Sequence, residues 1–155
     1  MNLLEIFKAG TWTDMSGQVL SFSAKDLKAT ADAYDPAVFK APLVVGHPTL
    51  NDPAYGWVSK LSTDQADATL LAERDQVEPQ FAELVNAGRF PKVSASFFHP
   101  TSPSNPKPGV WYLRHVGFLG AAAPAIPGLK PAAFADGAQG IVTIETIEFA
   151  GAAPA

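Results

Sequence analysis

The sequence predicts an α+β chain that is mostly β: an antiparallel, barrel-like sheet of six to eight strands with about two helices packed outside. Three observations carry that reading. Alternating apolar and polar runs recur along the chain, as period-two side-chain placement in strands requires. Only two stretches, following Ser23 and Glu78, set apolar residues at helical spacing. And 14 prolines with 12 glycines interrupt 155 residues, too often for a long helical bundle, so short elements joined by turns are expected.

Taken in order, Leu3 to Lys8 alternates and predicts a first strand. Gly10 to Gly17 reads as turn, and Gln18 to Ser23 alternates around Val19, Leu20 and Phe22. Asp14-Met15-Ser16-Gly17 between the two runs predicts a hairpin. Ser23 is a good N-cap with Asp26 three residues on, and Leu27, Ala31 and Tyr34 follow at helical spacing. A helix over Ala24 to Tyr34 is therefore expected, ended by Asp35-Pro36. Pro42 to Pro48 is a short apolar strand that carries His47, and Pro48 holds His47 extended. Tyr55 to Leu61 and Ala68 to Glu73 read as antiparallel partners across a turn at Asp64 to Asp67. Glu78-Pro79 opens a second helix with Phe81, Leu84 and Val85 on its apolar side and Gly88 as its stop. Lys92 to Phe98 is a strand, and the proline-rich stretch up to Gly109 is loop. Val110 to Leu119 is the longest strand candidate. Gly120 to Pro127 reads as loop, Gly128 to Asp136 as irregular, and Ile141 to Phe149 as a late strand. Residues 1–149 suit one domain, and 150–155 a flexible small-residue tail.

Composition narrows the function. Net charge is -4 and the 11 basic residues do not cluster, so no nucleic-acid surface is expected. The three tryptophans, Trp12, Trp57 and Trp111, have few basic neighbours and read as core or groove wall. No apolar run approaches a membrane span of about 18 residues, and the N-terminus lacks the pattern of a signal peptide. Cysteine is absent, which excludes disulfides, thiol nucleophiles and thiolate metal sites. His47, Asp52 and His99, with Asp75 or Asp136, offer metal-ligating side chains but no known ligand spacing, so neither a metal nor another cofactor is expected. No glycine-rich phosphate loop is present.

What remains is serine chemistry. Lys92 to Phe98 puts Val93, Ala95 and Phe97 on one strand face and Ser94 and Ser96 on the other. A serine needs a base to take its proton and a third group to orient that base. His47 and His115, both in strand-like runs, are available for those two roles. By pattern alone either serine fits, and a hydroxyl pair or a strand histidine is more often structural than catalytic. Arg114, next to His115, is expected to point away from the histidine's face by simple alternation.

Order and context add to the pattern. Ser94-Ala95-Ser96, then Arg114-His115-Val116-Gly117-Phe118-Leu119-Gly120, resembles the herpesvirus assembly proteases, with a Ser-x-Ser nucleophile strand and a later His-Val strand. Gly46-His47, followed by Tyr55-Gly56-Trp57-Val58, is similar to the region of that family's base histidine. The chain more closely resembles the protease part of tailed-phage capsid assembly proteins of the Mu-like prophage I type. The matching stretches are Glu5-Ile6-Phe7, Tyr34-Asp35-Pro36, Val44-Val45-Gly46-His47-Pro48, Ala54-Tyr55-Gly56-Trp57-Val58 and Phe81-Ala82-Glu83-Leu84-Val85. Further on come Val93-Ser94-Ala95-Ser96-Phe97, Trp111-Tyr112-Leu113-Arg114-His115-Val116 and Gly128-Leu129-Lys130-Pro131.

The resemblance implies a serine endopeptidase of procapsid maturation, in the host cytoplasm and inside the procapsid. It would cleave scaffold, itself and the major capsid protein. It would work as a homodimer or homo-oligomer, without cofactor, nucleic acid or membrane. Ser94 falls on the nucleophile, Ser96 on its companion, His47 on the general base and His115 on the orienting histidine. The oxyanion loop falls on Gly120, Ala121, Ala122 and Ala123, which here lacks the family's arginines, leaving backbone N–H groups as donors. The tail after residue 149 would be the start of a missing scaffold segment or a self-processed end. The alternatives are a non-catalytic capsid-associated scaffolding module on the same fold, and a small β-domain of a phage tail or baseplate.

Overall fold

The computed structural model describes residues 3–46, 52–120 and 141–148. Nine strands and two helices are found among them. In chain order these are β1 (Leu3–Lys8), β2 (Gly10–Thr13), β3 (Val19–Phe22), α1 (Ala24–Ala33), β4 (Pro42–Val45) and β5 (Gly56–Thr63). There follow β6 (Thr69–Asp75), α2 (Pro79–Asn86), β7 (Lys92–Phe98), β8 (Tyr112–Leu119) and β9 (Ile141–Glu148). Seven strands form one sheet in the order β1-β6-β5-β4-β8-β7-β9, and β2 and β3 form a separate two-stranded ribbon.

Three expectations are corrected. The sheet is not a closed barrel: β1 and β9 approach within 8 Å between Cα atoms, but no ladder joins them. It is also not wholly antiparallel, because β4 runs parallel to β8, pairing Leu43 with Val116 and Val44 with Gly117. Finally, β1 pairs with β6 rather than entering the hairpin. The hairpin turn does lie at Asp14, whose carboxylate accepts from the Ser16 and Gln18 amides. Its first arm is Gly10–Thr13, paired with Val19–Phe22.

The helices form for the reasons the sequence offers. Ser23 accepts from the Asp26 amide while Asp26 accepts from the Ser23 amide, a reciprocal capping box at the start of α1. α1 buries Leu27 and Thr30 and packs chiefly on β5. Glu78 caps α2 by accepting from the Phe81 amide, and Gly88 ends it at φ +80°, where glycine is favoured. α2 buries Phe81 and Val85 and leaves Leu84 exposed.

The core is aromatic. Phe7, Phe22 and Phe97 meet with ring centroids 4.8–5.9 Å apart, and Trp111 covers Phe22 at 4.6 Å. Burying side chains of this size contributes roughly 1.5–3 kcal/mol each. Since β7 supplies Val93, Ala95 and Phe97 to that core, the strand is anchored on one face, and its register cannot slip without exposing all three.

Candidate active site

With β7 anchored, Ser94 and Ser96 occupy the opposite face, and both are fully buried. On β8, Gly117 stands opposite Ser94 and His115 opposite Ser96. Residues directly opposite share a face, so Ser94, Ser96 and His115 are brought together. His115 is buried as well. Ser94 and His115 are diagonal neighbours, which in such a pair are about 7–8 Å apart. The Ser94 Oγ has no hydrogen-bond partner among the described residues. A buried hydroxyl in that condition costs free energy and calls for an explanation.

Arg114 departs from its expected orientation. Ser96 pairs with His115, but Phe97 pairs with Leu113, so Arg114 is an extra residue on β8, a β-bulge. The bulge lets Leu113 enter the core beside Phe97 while His115 still faces Ser96. It also swings Arg114 onto the serine face. Its Nη1 lies 3.4 Å from Ser96 Oγ and 3.4 Å from His115 Nδ1. Burial pushes the guanidinium's pKa below its usual value. Sequence reasoning missed this residue, although a signal was present. Strict alternation from Val116 and Phe118, both core residues, would drive Arg114 into the core. A charge does not go there unpaired, so a bulge was the cheaper solution.

Gly117 is the second missed residue. A Cβ built on it would lie 2.5 Å from the Gly46 carbonyl oxygen, so no side chain fits. The Gly46 amide also donates to the Phe118 carbonyl at 2.9 Å, and Gly46 turns the chain at φ +66°. The end of β4 therefore passes directly over the strand position opposite Ser94. A glycine inside a strand pattern signals such a close approach of backbone.

His47, Ala121, Ala122 and Ala123 lie outside the described residues. Gly120 follows β8 and sits near the Arg89 carbonyl and the Phe90 ring. His99 is engaged elsewhere: its Nδ1 accepts from the Thr101 amide at 3.1 Å, and its ring meets Trp111 at 4.8 Å. Asp75 pairs with Lys40 at 3.3 Å. Among the described residues no three His, Asp or Glu side chains gather as a metal site would require.

No family model and no curated protein matches the chain. Two solved structures are similar to it in shape. One is the Kaposi's sarcoma-associated herpesvirus protease in complex with an allosteric inhibitor, at TM-score 0.44 and 15% identity, covering 93% of this chain and 75% of that one. The other is the same virus's protease in complex with a dimer disruptor, at TM-score 0.44 and 16% identity, covering 92% of this chain and 75% of that one.

Proposed function

We propose that the chain is a serine endopeptidase of phage procapsid maturation, with Ser94 as nucleophile, His47 as general base and His115 as the histidine that orients the base. One observation carries the reading: Ser94 and His115 share a buried polar face at a diagonal spacing. His47 is the residue that follows Gly46, and Gly46 crosses β8 at the position opposite Ser94. The resemblance in residue order supports the same assignment.

In that site His47 takes the Ser94 proton as the hydroxyl attacks the scissile carbonyl, and hands it to the leaving amine. Water then hydrolyses the acyl-enzyme by the same base. Backbone N–H groups of Gly120, Ala121, Ala122 and Ala123 supply the oxyanion donors, and Ser96 supports the site from the next position on the same face. Substrates are the scaffold, the chain itself and the major capsid protein. The working form is a homodimer, acting in the host cytoplasm inside the procapsid.

The full burial of Ser94 favours a second reading, a non-catalytic capsid-associated scaffolding module on this fold. A fluorophosphonate probe separates the two. The protease reading expects covalent labelling of Ser94, lost in Ser94→Ala and His47→Gln. Absence of labelling in the intact protein, with Ser94→Ala processing a longer precursor as well as the parent does, would leave the scaffolding module.

A further inference from the structure

Within the cluster of Ser94, Ser96, His115 and Arg114, the first three are buried and Arg114 is half-buried. A molecule arriving from solvent therefore meets the guanidinium first. A guanidinium is always charged and presents five N–H donors in a planar fork. Both contacts of that fork with described side chains use Nη1, which lies 3.4 Å from Ser96 Oγ and 3.4 Å from His115 Nδ1. The Nε and Nη2 hydrogens lie side by side on the other edge and have no partner among the described residues. Such an edge takes a carboxylate through two parallel hydrogen bonds.

The charge is not balanced either. The ion pairs among the described residues join Lys8 to Glu5, Lys28 to Asp32 and Lys40 to Asp75, and none includes Arg114. Strands β4, β7 and β8 contain no Asp or Glu. A nearby carboxylate would favour the charged form and hold the pKa up, whereas burial pushes it down. A charge drawn partly out of water without an opposite one costs free energy, and a docking anion removes that cost.

Resting on the protease reading above, we propose that Arg114 is a specificity residue: its Nε–Nη2 edge receives the carboxylate of an aspartate or glutamate in the peptide to be cleaved. Ser96, whose Oγ touches Nη1, is the second residue after Ser94, about 7 Å along the strand. An extended substrate rises by a similar amount per residue, so the acidic side chain sits within about two residues of the scissile bond. The bulge at Arg114 is what carries the fork onto the serine face, where the substrate has to lie.

Peptides spanning a cleavage site of a longer precursor, acetylated and amidated at their ends, test this as a ratio of kcat/KM. Glu is set against Gln at each of the nearest positions on either side of the scissile bond. The parent should favour Glu at one of them by roughly tenfold or more, the scale of a charge-assisted bidentate contact. Arg114→Glu should reverse that preference in favour of Lys, which loss of a merely structural arginine could not do. Arg114→Lys keeps the charge without the fork and should lower the ratio without reversing it, a readout that stands if Arg114→Glu fails to fold. Equal rates for Glu and Gln at every position overturn the proposal, as does a preference that survives in Arg114→Glu. A preference that appears only in Glu145→Gln, a residue opposite Ser94 on β9, overturns it by making Glu145 the partner. Cleavage of neutral peptides only when their C-terminus is a free carboxylate assigns the fork to a chain end and overturns the side-chain subsite. If the parent cleaves nothing, the protease reading fails, and the carboxylate site is read separately. Ser94→Ala protein is titrated with N-acetylglutamic acid α-amide and with its glutamine counterpart, following the Nε–H NMR signals of Arg74, Arg89 and Arg114. A saturable shift at Arg114 with the acid alone upholds the carboxylate site, and no shift at Arg114 overturns it.

Discussion

Strand β8 carries two buried polar clusters, and they are built on opposite principles. At its start, Tyr112 Oη accepts from the Asp35 amide at 3.0 Å and lies 2.8 Å from the carbonyls of Asp35 and Phe39, to one of which it donates. Beside it Tyr34 donates to the Val58 carbonyl at 2.6 Å and accepts from the Ala41 amide at 2.9 Å. The two rings pack 5.4 Å apart. Further along the strand, the Ser94–Ser96–His115 face has a serine oxygen with no described partner and an arginine held by two long contacts. The tyrosine cluster tethers the end of α1 to the sheet and satisfies its polar atoms. The serine cluster leaves the Ser94 Oγ without a partner among the described residues, in a place where that is costly. Such local inconsistency is expected where a chain serves chemistry rather than stability.

The sharpest way to break the comparison is Ser94→Ala. It should lower precursor cleavage by about 10⁴-fold or more, the scale of losing a nucleophile. Stability should stay level or rise by up to about 1 kcal/mol, because an unpaired buried hydroxyl is removed. Urea unfolding beside a cleavage assay reads both. A large stability loss would mean that Ser94 Oγ has a structural partner, and the contrast between the clusters would collapse.

Gly117→Ala comes next. Its Cβ would lie 2.5 Å from the Gly46 oxygen, so β4 or β8 must shift, at a cost of about 1–3 kcal/mol. Gly120→Ala is the control. There the nearest atom would be the Arg89 oxygen at 3.6 Å, an ordinary contact, and the change in stability should be within about 0.5 kcal/mol. Equal melting temperatures for the two variants would show that the close crossing at Gly46 is not needed.

These glycines also mark where sequence reading reached its limit. The anchored strand β7, the capped helix α1 and the β5–β6 pair follow from local patterns: alternation, a Ser-x-x-Asp cap, a turn at Asp64 to Asp67. The placement of Ser94 and Ser96 on one face was legible for the same reason. The segment Gly10–Thr13 was not, because a glycine start and an Asp14 turn masked four residues that pair only once β3 is alongside. The parallel β4–β8 pair joins elements about seventy residues apart, and nothing local specifies it. Strict period two misplaces Arg114, because a charge at a core-facing position of β8 is relieved by a bulge.

Tyr34→Phe probes the satisfied cluster. It strips a partner from the Val58 carbonyl and the Ala41 amide and should cost about 1–3 kcal/mol, with cleavage by the folded protein unchanged. Burial pushes the Tyr34 pKa up to about 12 from 10.0. A folded-state value above the unfolded one means that its stabilisation is complete below pH 10 and is lost as pH rises towards 12. The parent should therefore lose stability over that interval, and Tyr34→Phe should lose less. Parallel curves for the two proteins would remove Tyr34 from the account of alkaline unfolding.

The smallest effect expected is that of Ser23→Ala, at the far end of the helix that leads into the tyrosines. The change removes the acceptor for the Asp26 amide and leaves the Asp26 carboxylate bonded only to the backbone of residue 23. Loss of such a cap costs about 1 kcal/mol. Because Tyr34 closes α1 and is tied to Val58 and Ala41, fraying should stay in the first turn, where amide exchange would report it. Ser94 lies on β7, away from that turn, so cleavage should not change. If Ser23→Ala did slow cleavage while the protein stayed folded, the scaffold and the serine face would be coupled through α1, and the two clusters of β8 would have to be treated as one unit.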